Sequence, residues 1–381
     1  MKKEGDSAKS HVFVALSGGV DSAVSAALLK EQGYAVTGAF IRTWQPDFLS
    51  CQAPADRDDA RRVAAHLGIP FTTIDLEDVY KHNVADRMIE EYRAGRTPNP
   101  DVLCNQQVKF GAFLNEALRR GADAIATGHY VRVHQHKEGG SYSLSRGIDE
   151  NKDQSYFLWT LGQDQLAKTV FPVGEYKKPH VRAIAEKFGL PVARKKDSQG
   201  VCFLGKLDMK EFLHHYIDAR EGDVLDTTGK VIGRHDGAIF YTLGQRHGFE
   251  VTVKSPDTGP LYVVAKNCAS NTLTVSEHNE RSLIDQTDSV SLSDIHWVEG
   301  APKNGTYGVQ FRYRQPVRTA TIRTDEKSGV TVTFREPQQA VALGQSLVIY
   351  DGDRCIGGGV IERTHTVHAP STSFETAKVG V

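Results

Sequence analysis

The spacing of apolar positions changes twice along the 381-residue chain, and each change marks a different architecture. Through the first 130 residues, short apolar runs at 12–16, Ala35 to Ile41, Phe71 to Asp75 and Asp123 to Thr127 predict strands. Between them, stretches of helical period near Ser22 to Gln32, Arg57 to Leu67, Val79 to Ala94 and Gln106 to Arg120 predict helices, with Gly121 placed to stop the last. That alternation predicts an α/β fold with a doubly wound parallel sheet. From about Asn151 to Phe212 helical signals dominate, including a short helix through Ala183, Ile184 and Ala185 that ends at Gly189 and Pro191. After Glu221, short alternating runs separated by glycine and Asn/Asp turns predict a C-terminal β-barrel. There Val309, Phe311 and Tyr313 alternate with Gln310, Arg312 and Arg314, which predicts an apolar face and an outward cationic one. The expected division is 1–150, 151–215 and 216–381.

Composition sharpens this only in part. A 39% apolar content supports ordinary globular cores, and no run reaches the roughly 18 apolar residues of a membrane helix. The N-terminus MKKEGDSAKS carries two acids and no long apolar run, so neither a secretory nor a mitochondrial address is expected. Five scattered cysteines suit a reducing, cytoplasmic setting, and with no CxxC a structural zinc site is not expected. Net charge is −1, yet Lys177, Lys178, Arg182, Lys187, Arg194, Lys195 and Lys196 crowd the segment from Tyr176 to Lys196 against Glu186 alone. A solvated helix face or a nucleic-acid contact would both account for that density.

The most informative motif is Ser17-Gly18-Gly19-Val20-Asp21-Ser22, between the first strand and the first helix. Paired glycines let backbone N–H groups turn onto an anion, and the helix N-terminus adds positive potential. The loop has neither GxxxxGK[ST] nor GxGxxG spacing. It resembles instead the pyrophosphate loop of enzymes that split ATP between its α and β phosphates. Asp21 would act through Mg²⁺ or the helix start, and Ser22 through a hydroxyl on a phosphate. Ile41 and Thr127-Gly128-His129 fall at neighbouring strand ends, where ligands of such sheets collect.

Two cysteine segments add chemistry. In Arg96-Thr97-Pro98-Asn99-Pro100-Asp101-Val102-Leu103-Cys104-Asn105 the prolines impose an extended approach, which predicts Cys104 just before a helix N-terminus, where its thiolate would be favoured. Structural burial is the plain alternative, and Asp101 is either a proton shuttle or a turn cap. In Asp197-Ser198-Gln199-Gly200-Val201-Cys202-Phe203 the preceding Arg194-Lys195-Lys196 would stabilise an anionic sulfur. Cys51, Cys268 and Cys355 have no partner at metal-ligand spacing, and Cys268 and Cys355 read as small core residues.

Seven motifs in one register, SGGVDS, GRTPNPDxLCN, ATGHY, NKDQSYFL, DSxGxCF, YTxGQR and FRYRQ, resemble the tRNA-specific 2-thiouridylase family from residue 12 to about 360. The resemblance implies a three-domain enzyme that replaces O2 of the wobble uridine of tRNA with sulfur, using ATP with Mg²⁺ and a sulfur-donor protein, either a cysteine desulfurase or a persulfide relay protein. It assigns ATP to Ala15, Leu16, Ser17, Gly18, Gly19, Val20, Asp21, Ser22, Ile41 and Gly128. It makes Cys202 the persulfide carrier, Cys104 its partner nucleophile, which either forms a disulfide with Cys202 or carries sulfur itself, and Asp101 the acid/base. It gives tRNA contacts to Asn99, Pro100, Asp101, His129, Lys152, Asp153, Gln154, Arg312, Tyr313 and Gln345. Ile41 departs from the family's usual methionine, and the C-terminal dozen residues match nothing. Without the resemblance, Lys152-Asp153-Gln154 reads as a helix start with a capping acid. Two other classes compete: a pyrophosphatase ligase of the argininosuccinate- or GMP-synthetase kind, which needs no paired cysteines, and a non-catalytic nucleotide- or RNA-binding module in which both cysteines are inert.

Overall fold

A computed structural model describes residues 10–48, 53–137, 139–197, 202, 209–252, 259–277, 286–325 and 329–367. Cys51, the N-terminal nine residues, Ser198 to Val201, Phe203 and the tail from His368 lie outside the described residues. Strands β1 (His11–Ala15), β2 (Ala35–Arg42), β3 (Phe71–Asp75) and β4 (Ala124–Ala126) pair in parallel in the order β3-β2-β1-β4, and Thr169–Val170 extends the sheet beyond β4. The strand order reverses at β1, so a crevice opens at the end of β1, where the glycine loop begins.

Alternation along β1 explains why both faces are covered. Val12, Val14 and Leu16 pack with helices α1 (Val20–Glu31) and α2 (Ala53–Leu67), whereas Phe13 packs with Tyr80, Val84, Val102, Cys104, Val108 and Phe113 on the opposite face. Such period-2 sorting is what a sheet buried on both sides requires. The second face is built by two long helices, each interrupted by a π-helical stretch. Glu77–Tyr80, Lys81–Ala85 and Asp86–Arg93 run on from one another, as do Pro100–Leu103, Cys104–Phe113 and Leu114–Arg119. The second of these helices starts at Pro100, six residues before the position read from its periodicity, because Asn99 accepts the Val102 N–H at 3.3 Å and Pro100 occupies the first helical position.

Cys104 is therefore the fifth residue of that helix and not its entrance. The expected N-terminal stabilisation of its thiolate is corrected accordingly, since the end effect fades within the first turn.

The helical signals between Asn151 and Phe212 resolve into Ser155–Phe157, Gln163–Leu166, Lys178–Lys187 and Met209–His214, with the Thr169–Val170 strand among them. The C-terminal barrel closes from six strands among the described residues: Gln286–Trp297, Gly329–Gln338, Arg318–Asp325, Gly305–Gln310, Ser346–Asp351 and Arg354–Val367, the last pairing back to the first. Strands between Gly222 and Glu277, which share the barrel's alternating texture in sequence, form a separate five-stranded sheet packed on Met88, Ile89 and Tyr92. The hairpin Val131–Gln135 and Tyr142–Arg146 adds to the barrel through Arg354 and Cys355, so one apolar core runs from the parallel sheet to Val348 and Tyr350. The alternating run around Val309 leaves the strand after Gln310, which is buried, while Arg312 and Arg314 face outward as expected. No helix among the described residues is long and apolar enough to cross a membrane.

Candidate active site

At the end of β1 the chain turns through Gly18 at φ +74°, and a side chain there would overlap the Asp56 carbonyl, so only glycine closes this loop. The Ser22 hydroxyl accepts the Ser17 N–H at 3.2 Å and donates to the Gly19 carbonyl at 3.2 Å, which fixes the cradle before any ligand arrives. Val20 begins α1 and is buried, Ser17 is exposed, and Gly19 is half-buried. Ala15 and Leu16 lead in from β1, and Ile41 is buried at the end of the neighbouring β2. Asp21 accepts from the Tyr130 hydroxyl at 2.7 Å and from the Lys178 ammonium at 2.7 and 2.8 Å. Those bonds engage both carboxylate oxygens.

Gly128 closes the crevice from the β4 side. A Cβ at Gly128 would meet the Ser22 nitrogen at 2.7 Å and the Asp21 Cβ at 2.9 Å, both in the cradle. Gly128→Ala is expected to push the two loops apart, costing about 1–3 kcal/mol of stability and at least tenfold in nucleotide affinity. Thermal melting together with equilibrium nucleotide binding checks this, and an unchanged affinity would remove Gly128 from the cradle.

The next residue carries the chain toward the cysteines. His129 is buried, its Nδ1 lies 2.8 Å from the Thr127 hydroxyl, and its ring sits 5.6 Å from Phe110. Burial holds the His129 imidazole neutral, and the nearby Lys109 charge adds to this. Phe110 and Lys109 belong to the same π-helical stretch as Cys104.

Folding brings the two cysteines together across 98 positions of sequence: the Cys104 thiol donates to the Cys202 sulfur at 3.4 Å. The Cys202 N–H donates to Asp101 Oδ1 at 2.9 Å, and the Tyr80 hydroxyl donates to the Cys202 carbonyl at 2.8 Å, so the backbone of Cys202 is held on both sides. Cys104 is fully buried and Cys202 only partly. Burial pushes the Cys104 thiol well above the usual range, and the charge on Cys202 pushes it further. The hydrogen bond from Cys104 pulls the Cys202 thiol below its usual range, against burial, and Lys109 pulls it further. Of the two sulfurs, Cys202 is therefore the one that ionises first. Burial raises the Asp101 carboxyl, opposed by the Cys202 N–H and Lys109.

Lys109 was not singled out by motif or charge density. Burial disfavours its ammonium, but the sulfurs of Cys202 and Cys104 and the Asp101 carboxylate outweigh this and keep it charged. It lies five residues after Cys104, and in an α-helix that spacing rotates a side chain about 140° away. The π-helical turn from Cys104 to Phe113 returns position i+5 to the same face.

Besides His129, the residues assigned to RNA fall into two groups. Asn99, Pro100 and Asp101 lie beneath the barrel, where Gln345 donates to the Thr97 and Pro98 carbonyls at 2.9 and 3.2 Å. Arg312 donates to the Leu243 carbonyl at 3.0 Å beside a cavity of about 290 Å³ that Gln345 and Gln245 also line. The Tyr313 ring is 4.4 Å from that of Phe157. The second group sits behind the glycine loop: Lys152 pairs with Asp197 at 2.6 Å, Asp153 accepts the Gly147 and Ser155 N–H groups at 3.1 Å, and Gln154 accepts the Tyr130 N–H at 3.0 Å. Asp153 and Gln154 thus hold their own loop together.

A glycine loop at the switch point of a parallel sheet, in one fold with two free cysteines whose sulfurs are 3.4 Å apart, is the arrangement of a nucleotide-binding enzyme with sulfur chemistry. Residues 10–206 match the tRNA methyl transferase HUP domain, 210–277 the PRC-barrel domain of the same name, and 287–361 an aminomethyltransferase beta-barrel domain. The tRNA-specific 2-thiouridylase MnmA of Pseudomonas putida (strain W619) is 47% identical over 94% of this chain and 96% of its own length. That of Pasteurella multocida (strain Pm70) is 47% identical over 93% of each, and that of Enterococcus faecalis (strain ATCC 700802 / V583) 44% identical over 94% and 97%. The chain belongs to the tRNA-specific 2-thiouridylase family.

Proposed function

We propose that the protein replaces O2 of the wobble uridine of tRNA with sulfur, activating that oxygen with ATP and delivering sulfur from a Cys202 persulfide. The observation that carries this reading is the 3.4 Å contact between Cys104 and Cys202, a thiol drawn toward its thiolate beside a fully buried one. An inert pair in a binding module would need neither the charge nor the contact, and a ligase acting on a small molecule would need no second cysteine.

The uridine O2 is an amide-like oxygen and a poor leaving group. Its attack on the α-phosphate of ATP releases pyrophosphate and leaves AMP on the base, and the N3 proton passes to Asp101. The glycine loop and the α1 N-terminus hold the phosphates. Separately, the Cys202 thiolate attacks the outer sulfur of a persulfide on the donor protein, whose own thiolate leaves. The outer sulfur on Cys202 then attacks C2, and AMP departs with the original oxygen. Cys104 gives its proton to solvent and attacks Cys202 Sγ, the bond to the outer sulfur breaks, and that sulfur keeps the electron pair as N3 regains its proton from Asp101. The Cys104–Cys202 disulfide so formed returns to two thiols by exchange with an external dithiol. Asn99, Arg312, Tyr313 and Gln345, beside Asp101 and the barrel cavity, suit contacts to a splayed single strand: amides for base edges, an aromatic ring for stacking, a cation for phosphate.

The test is reconstitution with tRNA that lacks the modification, ATP and a persulfide donor, followed by nucleoside mass spectrometry. The expected result is one 2-thiouridine at the first anticodon position, dependent on ATP, with pyrophosphate and AMP as co-products. ATP consumption without a thionucleoside would overturn the reading.

A further inference from the structure

The glycine loop contains no lysine, yet the fold delivers one to it. Lys178 opens the Lys178–Lys187 helix, which packs beside α1 through Val181 and Ala185. The residue is 8% exposed, and its backbone N–H is anchored on Asp149 Oδ2 at 2.8 Å. Its ammonium has three protons and meets three carboxylate oxygens: Asp21 Oδ1 at 2.7 Å, Asp21 Oδ2 at 2.8 Å and Asp197 Oδ1 at 2.8 Å.

The two acids belong to different parts of the site. Asp21 is the second residue of α1, whose first-turn N–H groups form the cradle, so phosphates seated there bring negative charge beside its carboxylate. Asp197 begins the segment that reaches Cys202 five positions later. It also receives Lys152 at 2.6 Å and Arg182 at 2.8 Å, and so keeps two cations when Lys178 turns elsewhere. Asp21 keeps the Tyr130 hydroxyl at 2.7 Å. Either acid can give up part of its hold on Lys178 without being left unpartnered in a buried setting.

We propose that Lys178 is the phosphate-contacting cation of the nucleotide site, exchanging an Asp21 oxygen for a phosphate oxygen while Asp197 ties it to the segment bearing Cys202. This rests on the ATP reading above. A compact ammonium on a buried stem suits that exchange, because three rotatable donors can be redistributed without moving the backbone. Phosphate occupancy is then felt at Asp197.

The experiment compares a non-hydrolysable ATP analogue with AMP, by calorimetry, on the unaltered protein, Lys178→Met and Lys178→Arg, with melting temperatures recorded. Lys178→Met is expected to lose at least tenfold in affinity for the triphosphate while AMP stays within about twofold, and Lys178→Arg to recover part of the loss. Equal weakening of both ligands would mean that Lys178 merely supports the loop, and no weakening would remove it from the site; either overturns the proposal. Should Lys178→Met not fold, Lys178→Gln, which keeps a polar end within reach of both carboxylates, is read in the same way: a loss confined to the triphosphate supports the assignment, and equal weakening of both ligands or of neither overturns it. If the unaltered protein binds neither nucleotide, the ATP reading falls and the proposal with it.

Discussion

Cys202→Ser is expected to lower tRNA thiolation by at least about 1,000-fold, the scale seen when a covalent nucleophile is removed. The hydroxyl is close to the thiol in size. The backbone bonds from Cys202 N to Asp101 and from Tyr80 to the Cys202 carbonyl do not involve the side chain, so the fold and the loop around position 202 should survive. The loss is of chemistry, since an alcohol accepts no sulfane sulfur under conditions where a lowered-pKa thiol does. ATP and tRNA affinities should stay within about twofold, and tRNA-dependent pyrophosphate release should persist, because the cradle at Ser17–Ser22 is built by other residues. Cys104→Ser separates the two sulfurs further: Cys202 should still take up sulfur, visible as a 32-dalton gain on its peptide, but not release it. Retention of more than a tenth of normal thiolation by Cys202→Ser, with a persulfide donor, would refute the carrier role.

What the sequence disclosed about this site depended on whether the cause was local. The strands of the parallel sheet were legible because each is a short apolar run; β3 falls at Phe71–Asp75, as read, and β1 and β2 lie within a residue of expectation. The cradle was legible because a glycine turn between strand and helix is a local arrangement. Pairing in space was not. The alternation after Glu221 announced strands, but their division into a five-stranded sheet and a closed barrel follows from contacts between residues far apart, as does the addition of the Val131–Gln135 hairpin to the barrel. In the sequence Lys178 is one cation of a basic run, and only the packing of its helix beside α1 distinguishes it from its exposed neighbour Lys177. The two prolines point to Cys104 as a helix entrance, whereas the Asn99 cap moves the start of the helix ahead of it. The signal that would have found Lys109 is the i, i+5 spacing from a cysteine, which has meaning only once the π-helical turn is known.

Lys109→Met is expected to slow thiolation at pH 7 by about 10- to 100-fold and to move the activity profile to higher pH, equivalent to one or two pH units at Cys202. Among the described residues, Cys104, Lys109, Asp101 and Tyr80 interact with that sulfur, and His129 feels the Lys109 charge. Cys104 lowers the Cys202 thiol by donating a hydrogen bond and Lys109 lowers it by charge, while burial and Asp101 raise it. Removing Lys109 takes away a positive charge that lowers it, while burial and Asp101 still raise it against the Cys104 hydrogen bond alone, so a higher pH is needed for the same thiolate fraction. Methionine preserves most of the side chain's length, which limits the packing change. The direct readout is the pH dependence of alkylation at Cys202, with peptide mass mapping to separate it from the exposed Cys268. In the unaltered protein the midpoint should lie below that of an ordinary thiol; in Lys109→Met it should rise, and Lys109→Arg should hold it near its original place. His129 supplies a second readout, because loss of the same charge should let its imidazole protonate at higher pH than before. A lysine that only braced the helix would lower the rate evenly across pH and leave the Cys202 midpoint where it was, and that pattern would exclude the electrostatic role.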